Sequence, residues 1–466
     1  MIKDISKNKN LILFIIFCPI LFNFFYNLLN LGIQINEVTS FKTINFLISV
    51  IFFTSFFFLG KIIKVLFNFQ TISFGVVLFL MSFFIIDKTF LILSKNILFK
   101  DLFVITVFLW FVFFAKNIKK IKKIDFISLI ISYGFGFYLL KILNRNITLN
   151  TSNFRTSDEK YFWYPNSLNI SEINYFDSVL NNILSSYGLL VAHVHSVLSY
   201  LFTLSEDFLY FPAYKNIFFL FTLLFIYELK AKNNAKIIFG FFFSIICLTS
   251  DWFNYLFFNS LLAESVSSYF FGIVIYEILE NYRNRTNITI HYFCLGYLYF
   301  SKQFLSVFSL LFGIYIIFKN KEKIIHYYLL FFGFLIDLIN SYIIETPITW
   351  TMYLNNIDTA EAGTYDGIKA ENIFNIINQF LIDKPVSYFI FVIIVLTLYL
   401  TLFKKLKIND LYILIILFNT VFVFLLYIFI WTNVEYESSY RYLLNVLHII
   451  IIYSLNIFDN FLEKEK

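Results

Sequence analysis

The feature that most constrains this chain is a succession of long apolar runs, each bounded by a cluster of Lys, Asn or Asp. The runs recur at intervals that suit bilayer helices, since an apolar helix needs about 20 residues to cross the hydrocarbon. They lack period-two alternation, which favours helices over a barrel, the other architecture a bilayer admits. Spans are expected at about 11–31, 43–59, 66–86, 101–115 and 125–143. Others follow at about 209–229, 236–250, 255–279, 287–300, 303–318, 325–343, 385–403, 410–431 and 442–458. The expected fold class is all-α: a polytopic transmembrane helical bundle of about 12–14 spans, with external loops and juxtamembrane helices.

Composition points the same way. The chain is 59% hydrophobic and 14% charged, whereas soluble domains carry about 25% charged residues. A soluble fold of 466 residues has too little interior for that much apolar surface. Part of the bias is genomic, because Phe, Ile, Asn and Lys are the residues an A/T-rich genome enriches, so the segmentation carries more weight than the average. Cys18, Cys247 and Cys294 all lie in apolar runs and form neither a disulfide framework nor a metal motif. The net charge of +6 is spread over short loops, which reads as topology and not as a nucleic-acid patch. The run from Leu11 to Leu31 is long enough to span and has no clear cleavage site, so no cleavable leader is expected.

Charge orients the spans. Lys3, Lys7 and Lys9 precede the first, and Lys61 and Lys64 follow the second. Lys116, Lys119, Lys120, Lys122 and Lys123 follow the fourth. Later turns carry Lys230, Lys232 and Lys236, then Arg283 and Arg285, then Lys319, Lys321 and Lys323, then Lys404, Lys405 and Lys407. With all of these cytoplasmic, both termini are inside. Ser185–Leu204 is apolar enough to cross, yet parity requires that it does not, so it is expected as a juxtamembrane or re-entrant helix. Two long external loops result, at about 144–176 and 345–384, and loops of that length are functional or disordered. The chain divides into N-terminal transmembrane helices, 1–143, and a core, 144–466. Pro19 is the only proline well inside a confident span, which counts against a transporter built on broken helices.

Four features carry chemistry. Asp158 and Glu159 stand side by side in an aromatic external loop with Tyr161, Trp163 and Tyr164. Partial desolvation there raises carboxylate basicity and suits a general base, although a solvated acidic turn has the same spelling. Asp251 caps a span, as an ordinary helix N-cap does, and Glu264 lies inside the next one. An acid within a span is costly and has to face protein or water. Lys302 splits one over-long apolar stretch; it reads either as a snorkelling side chain or as a phosphate contact. Arg441, near Glu435 and Glu437 at the mouth of the last span, invites a carboxylate or lipid-phosphate partner. The histidines add little. His193 and His195 are two apart and point to nearly opposite sides of a helix; His291 and His326 read as interface residues, and His448 as buried or hydrogen-bonded. No Gly-rich phosphate loop, Ser-His-Asp set or EF-hand pattern is present.

The order of these features resembles the GT-C class of polytopic membrane glycosyltransferases, which use polyprenyl-phosphate-linked sugars. The resemblance rests on Asp158-Glu159-Lys160-Tyr161 in an external loop, Ala213-Tyr214-Lys215-Asn216 leading a span, and Asp251 ending another. It continues in the Gly296-to-Lys302 turn and in Arg441-Tyr442-Leu443-Leu444 opening the last span. It covers about residues 145 to 458. Two departures stand out: about five spans precede the acidic loop, and Ser185-Ser186-Tyr187-Gly188 replaces the usual Pro-rich helix start. The resemblance implies transfer of a sugar from a polyprenyl-phosphate donor to a saccharide, lipid or protein acceptor at the external face. It implies cell-envelope glycan synthesis in a bacterial inner membrane, with the bilayer and the lipid-linked sugar as partners and no nucleic acid. Asp158 and Glu159 would be catalytic; Tyr161, Tyr164, Asp251, Glu264, Lys302 and Arg441 would bind substrate. A divalent metal can share the carboxylates, but no ligand set requires one. A transporter, flippase or polymerase of lipid-linked saccharides is the alternative.

Overall fold

The computed structural model describes residues 43–92, 97–144, 163–172, 189–203, 216–249, 257, 263–284, 288–344, 349, 410–429 and 442–464. All regular structure among them is helical. The helices are α1 (Thr43–Phe67), α2 (Ile72–Ile92), α3 (Phe99–Lys116), α4 (Lys123–Asn144), α5 (Tyr164–Glu172), α6 (Leu190–Thr203), α7 (Ile217–Glu228) and α8 (Asn233–Thr249). They continue with α9 (Ala263–Asn284), α10 (Thr289–Tyr297), α11 (Gln303–Lys319), α12 (Ile324–Leu330), α13 (Phe332–Ile344), α14 (Asp410–Phe429) and α15 (Leu447–Lys464).

The first two described helices correct the expected boundaries. α1 runs on to Phe67 and α2 starts only at Ile72, instead of the break near Lys61 and Lys64. Lys61 does not end the helix because its ammonium pairs with Asp125 of α4 at 2.9 Å. The stop comes at Asn68, whose φ of 58° is left-handed. There the Phe69 amide donates to the Lys64 carbonyl at 3.0 Å, the six-to-one closure of a Schellman motif. α11 ends the same way: Lys321 has φ 51° and the Glu322 amide donates to the Ile317 carbonyl at 3.0 Å.

The start of α2 is held by two carboxylates from distant helices. A helix leaves its first four amides without intrahelical acceptors. Glu277 of α9 accepts from the Gln70 and Thr71 amides at 3.1 and 2.5 Å and from the Thr71 hydroxyl. Glu228 of α7 accepts from the Ile72 and Ser73 amides at 2.5 and 2.9 Å and from the Ser73 hydroxyl at 2.7 Å. Lys230 pairs with Glu280, and Asn281 reaches both Glu277 and His291. These contacts gather the C-terminal ends of α1, α7 and α9 and the N-terminal ends of α2 and α10 at one end of the bundle. That end carries Lys61, Lys64 and Lys230.

Between the ends, helices interlock through Phe. Phe56 of α1 meets Phe221 of α7 edge-on at 5.5 Å, and Phe221 stacks on Tyr269 of α9 at 5.7 Å. Close crossings use glycine where no side chain fits. A Cβ on Gly75 would lie 2.5 Å from the Gly60 carbonyl, so α1 and α2 touch backbone to backbone there. α6 is an interior element: residues 189–199 are all buried, and its Ser196 hydroxyl donates to the Ser167 carbonyl of α5 at 2.8 Å.

The outward faces of several helices are apolar. Phe108 and Phe111 on α3, Ile130 and Ile131 on α4, Phe242 on α8 and Phe318 on α11 are all largely exposed. Among the described residues two helices, Ile48–Phe67 and Ile72–Leu91, are long and apolar enough to cross a membrane; α12 and α13 together are as well but bend by 50° at Phe331. Several other expected spans extend into residues outside the described set, including 209–215, 258–262 and 385–403.

Candidate functional site

The end of the bundle opposite the lysine-rich turns holds an ion pair that solvent does not reach. Glu264, on the first turn of α9, is 0% exposed and Lys302, just before α11, is 3% exposed. The Lys302 ammonium donates to Glu264 Oε1 and lies 4.4 Å from the ring centroid of Tyr442, close enough for a cation–π contact. Three chain segments far apart in sequence therefore meet at one lysine.

Local sequence explains how Lys302 comes to be inside. α10 tightens into a 3-10 turn over Leu298–Phe300, and the Ser301 amide and hydroxyl both return to the Leu298 carbonyl. Lys302 is then extended, at φ −113° and ψ 149°, as the residue before α11. The turn lies deep because Gly296 lets α10 press on the α12–α13 bend: a Cβ there would lie 2.3 Å from the Leu330 carbonyl. Gly296 thus serves helix packing in this turn. Lys302 does not snorkel to a surface, because its charge is satisfied within the protein.

A second buried polar cluster adjoins the same turn. Asp87 Oδ2 lies 3.0 Å from His193 Nε2. Asp337 accepts from the Tyr299 hydroxyl at 2.9 Å and from the Thr349 amide at 2.8 Å. Lys88 lies 4.6 Å from the Phe300 ring centroid and feels the charges of Asp337 and Asp87. The Leu298–Lys302 turn contributes a side chain to both clusters. Sequence reasoning did not single out Asp87, Lys88 or Asp337, and weighed His193 only for its spacing to His195. Asp337 had an available signal, since it sits inside the expected 325–343 span as Glu264 sits inside its own. Asp87 and Lys88 read as an ordinary span boundary.

Of the residues expected to act, Glu264 and Lys302 are brought into direct contact. Arg441 lies outside the described residues, while its neighbour Tyr442 touches Lys302. Asp158, Glu159, Tyr161 and Asp251 also lie outside the described residues. Tyr164 opens α5 and packs half-buried against the core; burial first, and the Glu172 carboxylate second, raise the pKa of its hydroxyl. Among the described residues no group of three His, Cys, Asp or Glu side chains is placed to hold a metal ion.

The arrangement offers anion chemistry. Removing one member of a buried ion pair strands the other charge at a cost of about 3–5 kcal/mol. A competing anion that reaches Lys302 keeps the lysine paired but leaves the buried Glu264 carboxylate without its cation. Beyond the site, an apolar groove runs between α11 and α14, lined by Leu311, Phe312, Tyr315, Leu414 and Phe418. At 1.5 Å per helical residue, Leu311 lies roughly 14 Å along α11 from Lys302. Compared with known proteins, the chain matches no family model, no curated protein and no solved structure.

Proposed function

We propose that this chain is a polytopic membrane glycosyltransferase of the GT-C class. It would move a sugar from a polyprenyl-phosphate donor to an acceptor at the external membrane face, in cell-envelope glycan synthesis. The observation that carries the reading is Lys302, buried against Tyr442 and held by Glu264. An ionisable group inside an apolar bundle marks a functional site, and Arg441 adjoins Tyr442 in sequence.

The surroundings support a lipid-borne anion. Exposed Phe and Ile on α3, α4, α8 and α11 form faces that water would penalise and a bilayer would cover. The apolar groove between α11 and α14 suits an isoprenoid tail running along the bundle from a headgroup at Lys302. In this reading Asp158 takes the proton from the acceptor hydroxyl, with Glu159 orienting it. As the glycosidic bond to the lipid phosphate breaks, the leaving phosphate gains negative charge, and Lys302 and Arg441 stabilise it.

One observation favours the alternative of a transporter or flippase: Asp87, Lys88, His193 and Asp337 are all buried, and intramembrane ionisable groups mark ion pathways as well as catalytic sites. The two readings separate in proteoliposomes loaded with a labelled polyprenyl-phosphate sugar. A transferase delivers label to an acceptor supplied at the external face. A transporter moves the lipid-linked sugar between leaflets and leaves the sugar–phosphate bond intact, an outcome that would refute the transferase reading.

A further inference from the structure

The three segments that meet at the Glu264–Lys302 pair also carry buried polar atoms without a hydrogen-bond partner among the described residues. Glu264 and Ser267 share a face of α9, because helical positions three apart lie together. Ser306 is one turn along α11 from Lys302, its amide donating to the Lys302 carbonyl at 2.9 Å. Asn445 lies in the 3-10 turn Leu444–Val446, three positions beyond Tyr442. The Tyr442 ring lies against the Lys302 ammonium, so the segment that carries Asn445 reaches the ion pair. Ser267 Oγ, Ser306 Oγ and both amide atoms of Asn445 are buried without a hydrogen-bond partner among the described residues.

Native interiors leave only a few such atoms per 100 residues. Here four come from the three segments that carry Glu264, Lys302 and Tyr442. We infer that Ser267, Ser306 and Asn445 line a headgroup site for a phosphate-bearing amphiphile in which Glu264 is a displaceable place-holder for the phosphate. The inference rests on the lipid-phosphate reading above and adds how that site is kept and emptied. Without ligand, Glu264 neutralises Lys302 and keeps the buried charge from being stranded. When phosphate enters, Lys302 turns to it, having three donors to share, and the two hydroxyls and the Asn445 amide donate to the remaining oxygens. The Glu264 carboxylate then stands beside a second anion, which weakens retention. When the product lipid phosphate leaves, Glu264 recovers the lysine. Glu264 is accordingly a positioning residue that trades affinity for release.

The test titrates the full-length protein in nanodiscs with a polyprenyl monophosphate, with inorganic phosphate as a separate arm. Removing the like charge in Glu264→Gln is expected to tighten polyprenyl phosphate binding about 10-fold while lowering kcat through slower release. Ser306→Ala and Asn445→Leu leave the ion pair untouched; each is expected to weaken binding about 2–10-fold with Tm unchanged or raised, since each removes an unpaired buried group. A merely structural role predicts the reverse for these two, a lower Tm with binding unaltered. Wild-type binding that Glu264→Gln leaves unchanged or weakens would overturn the place-holder role. Should Glu264→Gln not fold, unaltered binding in both Ser306→Ala and Asn445→Leu overturns the site. Inorganic phosphate binding as tightly as the lipid would overturn the amphiphile as ligand. Absence of lipid binding in every variant and in wild type would mark failure of the underlying functional reading instead.

Discussion

Asp87 and His193 stand 106 positions apart in the chain, and their side chains meet at 3.0 Å in the protein interior. The contact ties the C-terminal end of α2 to α6, an element whose sequence suggested a juxtamembrane or re-entrant helix. Burial makes the pair a structural commitment, because a polar group taken out of water and then left unbonded costs about 1–3 kcal/mol. Asp87→Leu and His193→Leu should each destabilise by that order. The double variant should lose less than the sum, by a coupling of about 0.5–3 kcal/mol. A double-mutant cycle on thermal unfolding in detergent measures this, and strict additivity would show that the contact carries no energy.

At the other end of the bundle, Glu228 and Glu277 close the amide donors that open α2. Their donors are backbone amides and the Thr71 and Ser73 hydroxyls, so an acceptor oxygen matters more than a charge. Glu228→Gln keeps one acceptor and should be tolerated better than Glu228→Ala, which removes both and should cost at least the about 0.5–2 kcal/mol of an ordinary cap. Thermal midpoints of the two variants give the order; equal losses would contradict the capping role.

Gly75 and Gly134 offer a contrast within one region. A methyl at Gly75 would press on the Gly60 backbone at 2.5 Å, whereas one at Gly134 meets nothing within 4 Å. Gly75→Ala should destabilise by about 1–3 kcal/mol, as overpacking does, and Gly134→Ala should be neutral or slightly stabilising. Matched unfolding midpoints of the two single variants decide it, and an indifferent Gly75→Ala would contradict the close crossing of α1 and α2.

Sidedness can be read chemically. In a background freed of Cys18, Cys247 and Cys294, a cysteine at position 120 should react with membrane-impermeant maleimide only after the membrane is opened. One at position 158 should react from outside intact cells. External labelling of position 120 would reverse the charge-based topology.

How much of this was legible in the sequence differs between levels. Helices were, because the apolar runs are long and the lysine clusters punctuate them. Their ends were less so: Lys61 looked like a terminus until Asp125 of α4 supplied a partner, and the true stop at Asn68 depends on a backbone conformation that composition does not reveal. Glu264 was recognisable as an inward-facing acid from the cost of exposing it to lipid. That Lys302 is its partner was not, since the two lie 38 residues apart and meet only after the 3-10 turn at Leu298–Phe300 carries Lys302 inward. Ser267, Ser306 and Asn445 were invisible as a group, because small polar residues mean little until the segments that carry them meet at one charge.

Sugar transfer from a polyprenyl-phosphate sugar by purified protein in proteoliposomes is the most direct measurement, comparing wild type with Lys302→Gln and Asp158→Asn. Wild type should transfer the sugar to an acceptor. Asp158→Asn should remain folded and inserted but lose turnover by about 100-fold or more, the scale of general acid–base catalysis. Lys302→Gln should lose a comparable factor, the scale of one donor to a developing anion. Wild-type turnover in Lys302→Gln, in protein shown to be folded, would contradict the assignment of Lys302 as the phosphate cation and with it the central claim.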